Sequence, residues 1–453
     1  MSTLGAKNWF RPDVSLPILV FIDNFSVALV IPLLFQYYKK AGVTSATQRE
    51  LLSSVFSASQ IIGGLLLGYL TDAKFLRKKT VLFLSFGGSA IAYLMIAYGG
   101  FTALILSRIL VGLVKQTMTV TTSMLTVCTA PEIRSRNMGR LQSSSTAAWI
   151  LGPSAGALLF KYIDHMAPVY VASFLFVLNM ILAGVLLSDN IENNACLDPD
   201  SGKSKRDSTS SEDEYTYDKN HSNKGRKRGF WENLKSCYSS ESLTSVIVGL
   251  LLFSWMYRAT SYSSMGSYYE DMYGVEPHIR GYIQSYQRVL QFIVQSSLIQ
   301  SVLERVGGER RAVFLACALL AGGTFLEARQ NLFVFLLAIS PSIALSTTMI
   351  SVSLRSLLTQ LAPEDAIFSI FAALDVLQNA TAVSVPFYRA FLFRLMTDEN
   401  DNTGQTTMIG DPDPVSWVLC SAFHWVIAAI VMAYILRPGQ NESLKSLSYK
   451  KEL

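Results

Sequence analysis

Twelve apolar runs, each close to the length of a bilayer crossing, dominate this chain. They lie near residues 16–38, 51–71, 80–98, 101–125, 141–160 and 168–187, and then, past a polar gap, near 242–266, 279–302, 312–327, 331–356, 367–393 and 414–436. A hydrocarbon core of about 30 Å takes about 20 residues of helix. Inside lipid the backbone N–H and C=O groups find no water, so each run must pair its own backbone as a helix. The expectation is an all-α membrane protein whose twelve spans form two pseudo-symmetric six-helix bundles.

Composition supports lipid over a water-facing coat. Of 453 residues 50% are hydrophobic and 16% charged, against about 25% charged in ordinary soluble domains. A net charge of +5 is mild, and the cations lie in connections between apolar runs. That pattern fits membrane orientation, and no nucleic-acid partner is expected. Cys128, Cys196, Cys237, Cys317 and Cys420 are scattered without metal-ligand spacing, so free thiols are expected, with no metal and no cofactor. The first run is followed by no small-residue cleavage site and is read as a span that stays.

The cations orient the spans. One set of connections carries Lys74, Arg77, Lys78 and Lys79; Arg134, Arg136 and Arg140; a middle cluster from Lys203 to Arg228; and Arg305, Arg310 and Arg311. The opposite set is poorer in cations, with Lys39, Lys40 and Arg49 as exceptions, and its last member is acidic (Asp398, Glu399, Asp401, Asp411, Asp413). By the positive-inside rule both termini face the cytoplasm. The expected organisation is a bundle over 1–189, a cytoplasmic linker over 190–241, a second bundle over 242–437 and a tail over 438–453. The linker is Ser-rich, charged and poor in large apolar residues, a composition expected to stay disordered, and its hydroxyls are candidate phosphorylation sites.

The two sets of six carry an echo. "GYLTDAKFLRKK" follows the second run and "SVLERVGGERRA" follows the eighth, each joining an acid (Asp72, Glu304) to a basic cluster. The first stretch resembles the signature loop of the major facilitator superfamily through Gly68, Asp72 and Arg77/Lys78/Lys79, although "FL" stands where the family has a glycine before the basic pair. The resemblance implies a conformational gate made of Gly68, Asp72, Arg77, Lys78, Glu304 and Arg310. An ion pair worth about 1 kcal/mol, present in one state and absent in the other, biases a balanced equilibrium. "LILSRILVGL" is similar to the family's buried-arginine motif at Arg108 and Gly112. "WILGPSAGALL" resembles the motif of exporters that exchange substrate for protons at Gly152, Pro153 and Gly156, where a helix bend is expected. Asp23 and Pro32 in "FIDNFSVALVIPLL" resemble the same drug/proton antiporter branch, whose closest pattern is that of tetracycline-resistance carriers. "PLLFQYYKKAGVT" and "SYYEDMYGVEPHIRGYIQSY" look most like the animal major facilitator superfamily domain-containing protein 9 group.

Ionisable groups inside a membrane are costly and mark cavities or partners. Burial disfavours the charged form of a carboxylate or an ammonium, which brings proton exchange toward neutrality. Asp23, Lys115 and Asp375 are therefore the candidates for proton coupling. Asp23 has Arg108 as one possible partner, and Lys115 has Asp23 or Asp375. Arg108 and Lys115, seven residues apart, share a face of a continuous helix with Gln116 beside it. Gln284, Gln287, Arg288 and Gln291 recur at helical spacing, a polar stripe suited to a central cavity. Arg108, Gln116, Gln142, Arg258 and Tyr262 complete the expected cavity, and His424 is read as a packing residue.

The function expected is a secondary transporter moving a small organic solute by alternating access, in the mode of proton-coupled export, working as a monomer in the plasma or an endolysosomal membrane. An uncoupled facilitator and a non-transporting scaffold are the alternatives. No P-loop pattern and no catalytic set occur, so neither an ATP-driven pump nor an enzyme is expected.

Overall fold

The computed structural model describes residues 12–43, 45–72, 75–129, 131–187, 241–260, 268–362, 367–396 and 412–436, with the backbone alone at 46, 72, 126–127, 131–136, 367–369, 371–373 and 375. The first six spans are α1 (Pro12–Lys40), α2 (Ala46–Asp72), α3 (Lys78–Tyr98), α4 in two pieces (Phe101–Val114 and Thr117–Cys128), α5 (Pro131–Tyr162) and α6 (Ala167–Leu186). The second six are α7 (Glu241–Thr260), α8 (279–306), α9 (Glu309–Glu327), α10 (Leu332–Leu361), α11 (Ile367–Met396) and α12 (Pro414–Ile435). A short helix, Tyr268–Tyr273, lies between α7 and α8. The linker and both termini fall outside the described residues, as do Cys196, Cys237 and Tyr262. Cys128, Cys317 and Cys420 are free thiols.

Eight of these helices are long and apolar enough to cross a membrane on composition alone. The others (α5, α8, α9 and α11) carry polar or charged positions that lower their average. Large apolar side chains stand exposed on the outer surface, among them Leu66, Ile91, Phe174, Phe325, Phe423 and Ile430. That is the surface lipid selects and water rejects.

Pairings in the first half repeat in the second with every helix number raised by six. α1 packs on α5 and α6, α2 on α4, and α3 on α4 and α6; likewise α7 packs on α11 and α12, α8 on α10, and α9 on α10 and α12. The two main contacts across the seam, α5 with α8 and α2 with α11, are mates under the same shift. Each of the four apolar core clusters stays within one half.

Close helix approach rests on glycines where a side chain would strike backbone. A Cβ on Gly63 of α2 would lie 2.0 Å from the Leu113 carbonyl oxygen of α4, and one on Gly156 of α5 would lie 2.0 Å from the Leu29 carbonyl oxygen of α1. The α8–α9 turn needs Gly307 at φ +81° and Gly308 at φ +117°, a region that favours glycine. α5 runs without interruption through Pro153, and Gly152 and Gly156 take the backbone of α1.

Candidate functional site

α4 departs from the continuous helix expected of it. It breaks at Lys115 and Gln116, whose backbone leaves helical geometry (ψ +81° at Lys115, φ −122° at Gln116). The shared face expected of Arg108, Lys115 and Gln116 therefore does not form. Lys115 Nζ donates instead to Asp23 Oδ1 of α1, and the ammonium also sits 4.7 Å from the centre of the Phe176 ring of α6. Asp23 is almost fully buried, while the Lys115 side chain keeps 16% of its surface open. Of the partners open in the sequence, Asp23 takes Lys115 and not Arg108. Arg108 is buried over the Tyr38 ring at 5.8 Å. Gln116 donates to the Gln60 carbonyl of α2 at 3.3 Å. Asp375 lies on α11 at a position described by backbone alone.

Two cavities open along the seam. The first, about 240 Å³, has Gln284, Gln287, Arg288 and Gln291 of α8 on one wall, faced by Trp149 of α5 and Trp425 of α12. Arg288 donates to Gln291 Oε1 at 3.1 Å and stacks over the Trp149 ring at 5.7 Å, a contact across the halves. The stripe read from helical spacing thus lines a cavity. The second, about 410 Å³, runs beside Ser53 and Ser57 of α2, Arg258 of α7, Arg355 of α10, and Gln378 and Arg389 of α11. Tyr257 lines both. Arg108, Gln116 and Gln142 line neither, and Gln142 stands exposed near the start of α5.

The halves meet at the cation-poor face. Arg389 Nη2 of α11 lies 2.9 Å from Glu50 Oε1 of α2, and Arg49 Nε approaches the same oxygen at 3.5 Å. All three residues are at most 4% exposed. Gln36 of α1 donates to Glu270 at 3.1 Å, Ser154 N of α5 donates to Ser285 Oγ of α8 at 3.1 Å, and Gly281 of α8 rests on the Pro153 carbonyl. Burial raises the Glu270 carboxyl above the usual carboxylate range, with Arg280 and Lys39 opposing it. Toward the other face, Gln142 and Ser143 of α5 and Gln295 and Ser296 of α8 are exposed.

The sequence reading passed over Glu50, Arg355 and Arg389. An arginine inside "VPFYRAFLF" or "VSLRSLL" was visible by the rule that singled out Lys115, but the partnership of Glu50 with Arg389 joins residues more than three hundred positions apart. At the cation-rich face, Arg77 precedes α3, and Lys79 Nζ donates to the Leu187 carbonyl at the end of α6 at 2.6 Å, a favourable place for a cation. Gly68 faces open space. Glu304 is exposed and accepts from Gln300 of its own helix, while Glu309 reaches α10 through Ser356 and Gln360.

A twelve-helix fold with a six-helix repeat and a seam cavity narrows the family, and the family model described as Major Facilitator Superfamily matches residues 16–386. The chain belongs to the major facilitator superfamily. Comparison with curated proteins finds no match. Among solved structures, the nucleoside transporter NupG aligns with TM-score 0.68 at 13% identity, covering 95% of this chain and 100% of that one. A bacterial homolog of the human lysosomal transporter Spinster, in an inward-facing and unoccupied conformation, aligns with TM-score 0.65 at 12% identity, covering 96% and 98%. The human organic anion transporter MFSD10 (TETRAN) aligns with TM-score 0.55 at 15% identity, covering 93% and 99%. At these identities the likeness is one of fold. Membership and fold together make this chain a multi-pass membrane transporter, not an enzyme.

Proposed function

We propose that the protein is a proton-coupled exporter of a small organic solute, with the Asp23–Lys115 pair as its proton switch. The observation that carries this reading is an ion pair between two spans, one partner deeply buried and the other partly open, at the point where α4 gives up its helix. A proton arriving on Asp23 cancels the attraction and frees Lys115; losing it restores the tie between α1 and α4. A group whose charge state changes the bonding between helices biases a two-state equilibrium by the difference in binding.

The cation-rich face is then cytoplasmic, with both termini and the 190–241 segment on that side, and the closed cation-poor face makes this the inward-open state. The halves, 1–189 and 242–437, rock about the seam, exposing the cavity to each side in turn. The likeness of "WILGPSAGALL" to the proton-exchange motif supports export, and the subgroup likeness stands on the segments quoted for it. Asp375 is a second proton carrier in this scheme, and Asp72, Arg77, Lys78 and Arg310 belong to the cytoplasmic gate.

The test is transport by the full chain in liposomes loaded with a polar metabolite extract, read by mass spectrometry with and without a pH gradient. A solute whose loss depends on the gradient is expected, and Asp23→Asn should remove that dependence while keeping solute exchange. Movement indifferent to the gradient would point to an uncoupled facilitator. No movement of any solute would point to a scaffold.

A further inference from the structure

The charges on the seam cavities are unbalanced. Their walls carry Arg258, Arg288, Arg355 and Arg389, and among the described residues no aspartate or glutamate lines them. Arg389 is satisfied by Glu50. Arg288 has an amide and an indole ring, both neutral. Arg258 and Arg355 make no ion pair among the described residues, and both side chains open into the second cavity. A guanidinium held inside a membrane without a counter-ion is costly. Two such groups in the second cavity and a third in the first, with Tyr257 lining both, leave a place for negative charge that no described side chain fills.

In the first half Lys115 is already paired with Asp23, and Arg108 is buried against the Tyr38 ring of α1, outside the lining of both cavities. The unmatched positive charge on the cavity walls therefore comes from the second half. Arg258 lies near the C-terminal end of α7 and Arg355 near that of α10. These helices run in opposite directions, so the two arginines stand toward opposite ends of the cavity. Arg258 is the one beside the closed face. Its neighbour Tyr257 joins the two cavities, and past it lie Trp149, Trp425 and the α8 amides.

We infer that the transported solute is an organic anion with a flat body, its acid group held by Arg258 and its ring lying past Tyr257 between Trp149 and Trp425. Arg355, nearer the open mouth, draws anions in and disfavours cations. Guanidinium groups suit carboxylate, sulfonate and phosphate alike, and the aromatic walls select a planar body. This inference rests on the transporter reading above and names its substrate class.

The experiment is binding to the purified full chain, measured by thermal shift and by equilibrium dialysis. The probes are aromatic carboxylates, sulfonates and phosphates such as benzoylglycine and naphthalene sulfonate, each beside its uncharged ester or amide and a quaternary-ammonium analogue. At least one acid should bind while its neutral and cationic counterparts do not. Arg258→Gln should weaken that acid at least tenfold, Arg258→Lys should recover part of the loss, and Arg355→Gln should weaken every acid while leaving the unliganded melting temperature unchanged. Equal binding of the neutral or cationic analogues, no binding by any acid, or unaltered affinity in both glutamine variants overturns the inference. Binding needs no gradient, so the two readings fail separately. An acid that binds and exchanges without responding to a pH gradient sinks proton coupling alone, whereas gradient-driven export of a cation sinks only the anion assignment.

Discussion

Removing the Glu50 carboxylate should open the cation-poor face. In Glu50→Gln the amide keeps the shape but loses the charge that faces Arg389 at 2.9 Å and Arg49 at 3.5 Å. Two guanidiniums, each 4% exposed, are then left close together without their shared anion. Breaking a buried pair from one side costs about 3–5 kcal/mol, most of it the penalty of the stranded charge. That cost falls on the closed arrangement, since parting α2 from α11 lets water reach the arginines. With about 1.4 kcal/mol for each factor of ten, the lower figure shifts the balance between conformers by about a hundredfold or more. Spin labels at Tyr162→Cys and Glu276→Cys, one on each half at that face, read the outcome as a distance distribution in a background freed of native cysteines. The wild-type pair should show one short population and Glu50→Gln a dominant longer one. An unchanged distribution would mean that the pair carries none of the closure, and the reasoning would be refuted.

Gly156→Ala should lower the melting temperature in detergent, because its Cβ would lie 2.0 Å from backbone and overpacking of this kind costs about 1–3 kcal/mol. Gly322→Ala on the exposed side of α9 meets nothing within 4 Å and should leave stability equal or raise it by about 0.5–1 kcal/mol. A thermal melt comparing the two variants tests whether glycine serves close approach or mere flexibility. Glu327→Ala should destabilise the second half, since Glu327 Oε1 accepts from the Tyr268 hydroxyl at 2.8 Å and from the Tyr273 hydroxyl at 3.0 Å. Each buried hydroxyl stripped of its acceptor costs about 1–3 kcal/mol, and Glu327→Gln should retain much of the stability in the same melt.

Local rules made part of this molecule legible and left the rest dark. The spans followed from hydrophobic length, because lipid leaves the backbone no other choice. The amide stripe of α8 followed from its spacing. The break in α4 left no trace: neither glycine nor proline adjoins Lys115, and the contacts beside it, α2 at Gly63 against Leu113 and Asp23 of α1 with Lys115, are made by other spans. Asp23 and Lys115 were visible as costly charges, but their union belongs to three-dimensional packing. Glu50 was hidden for a different reason. It stands at the edge of an apolar run beside Arg49, where nothing local marks a partner, and only α11, arriving from the far end of the chain, makes it a bridge.

Because no apolar cluster among the described residues crosses the seam, separating the halves at one face need not wet a greasy interior. The work of opening falls on a handful of hydrogen bonds and charges, each exchangeable for water at little net loss. Such a joint behaves as a hinge with removable pins, so the two bodies should stay rigid through the whole cycle while single substitutions at the pins reset which side stands open.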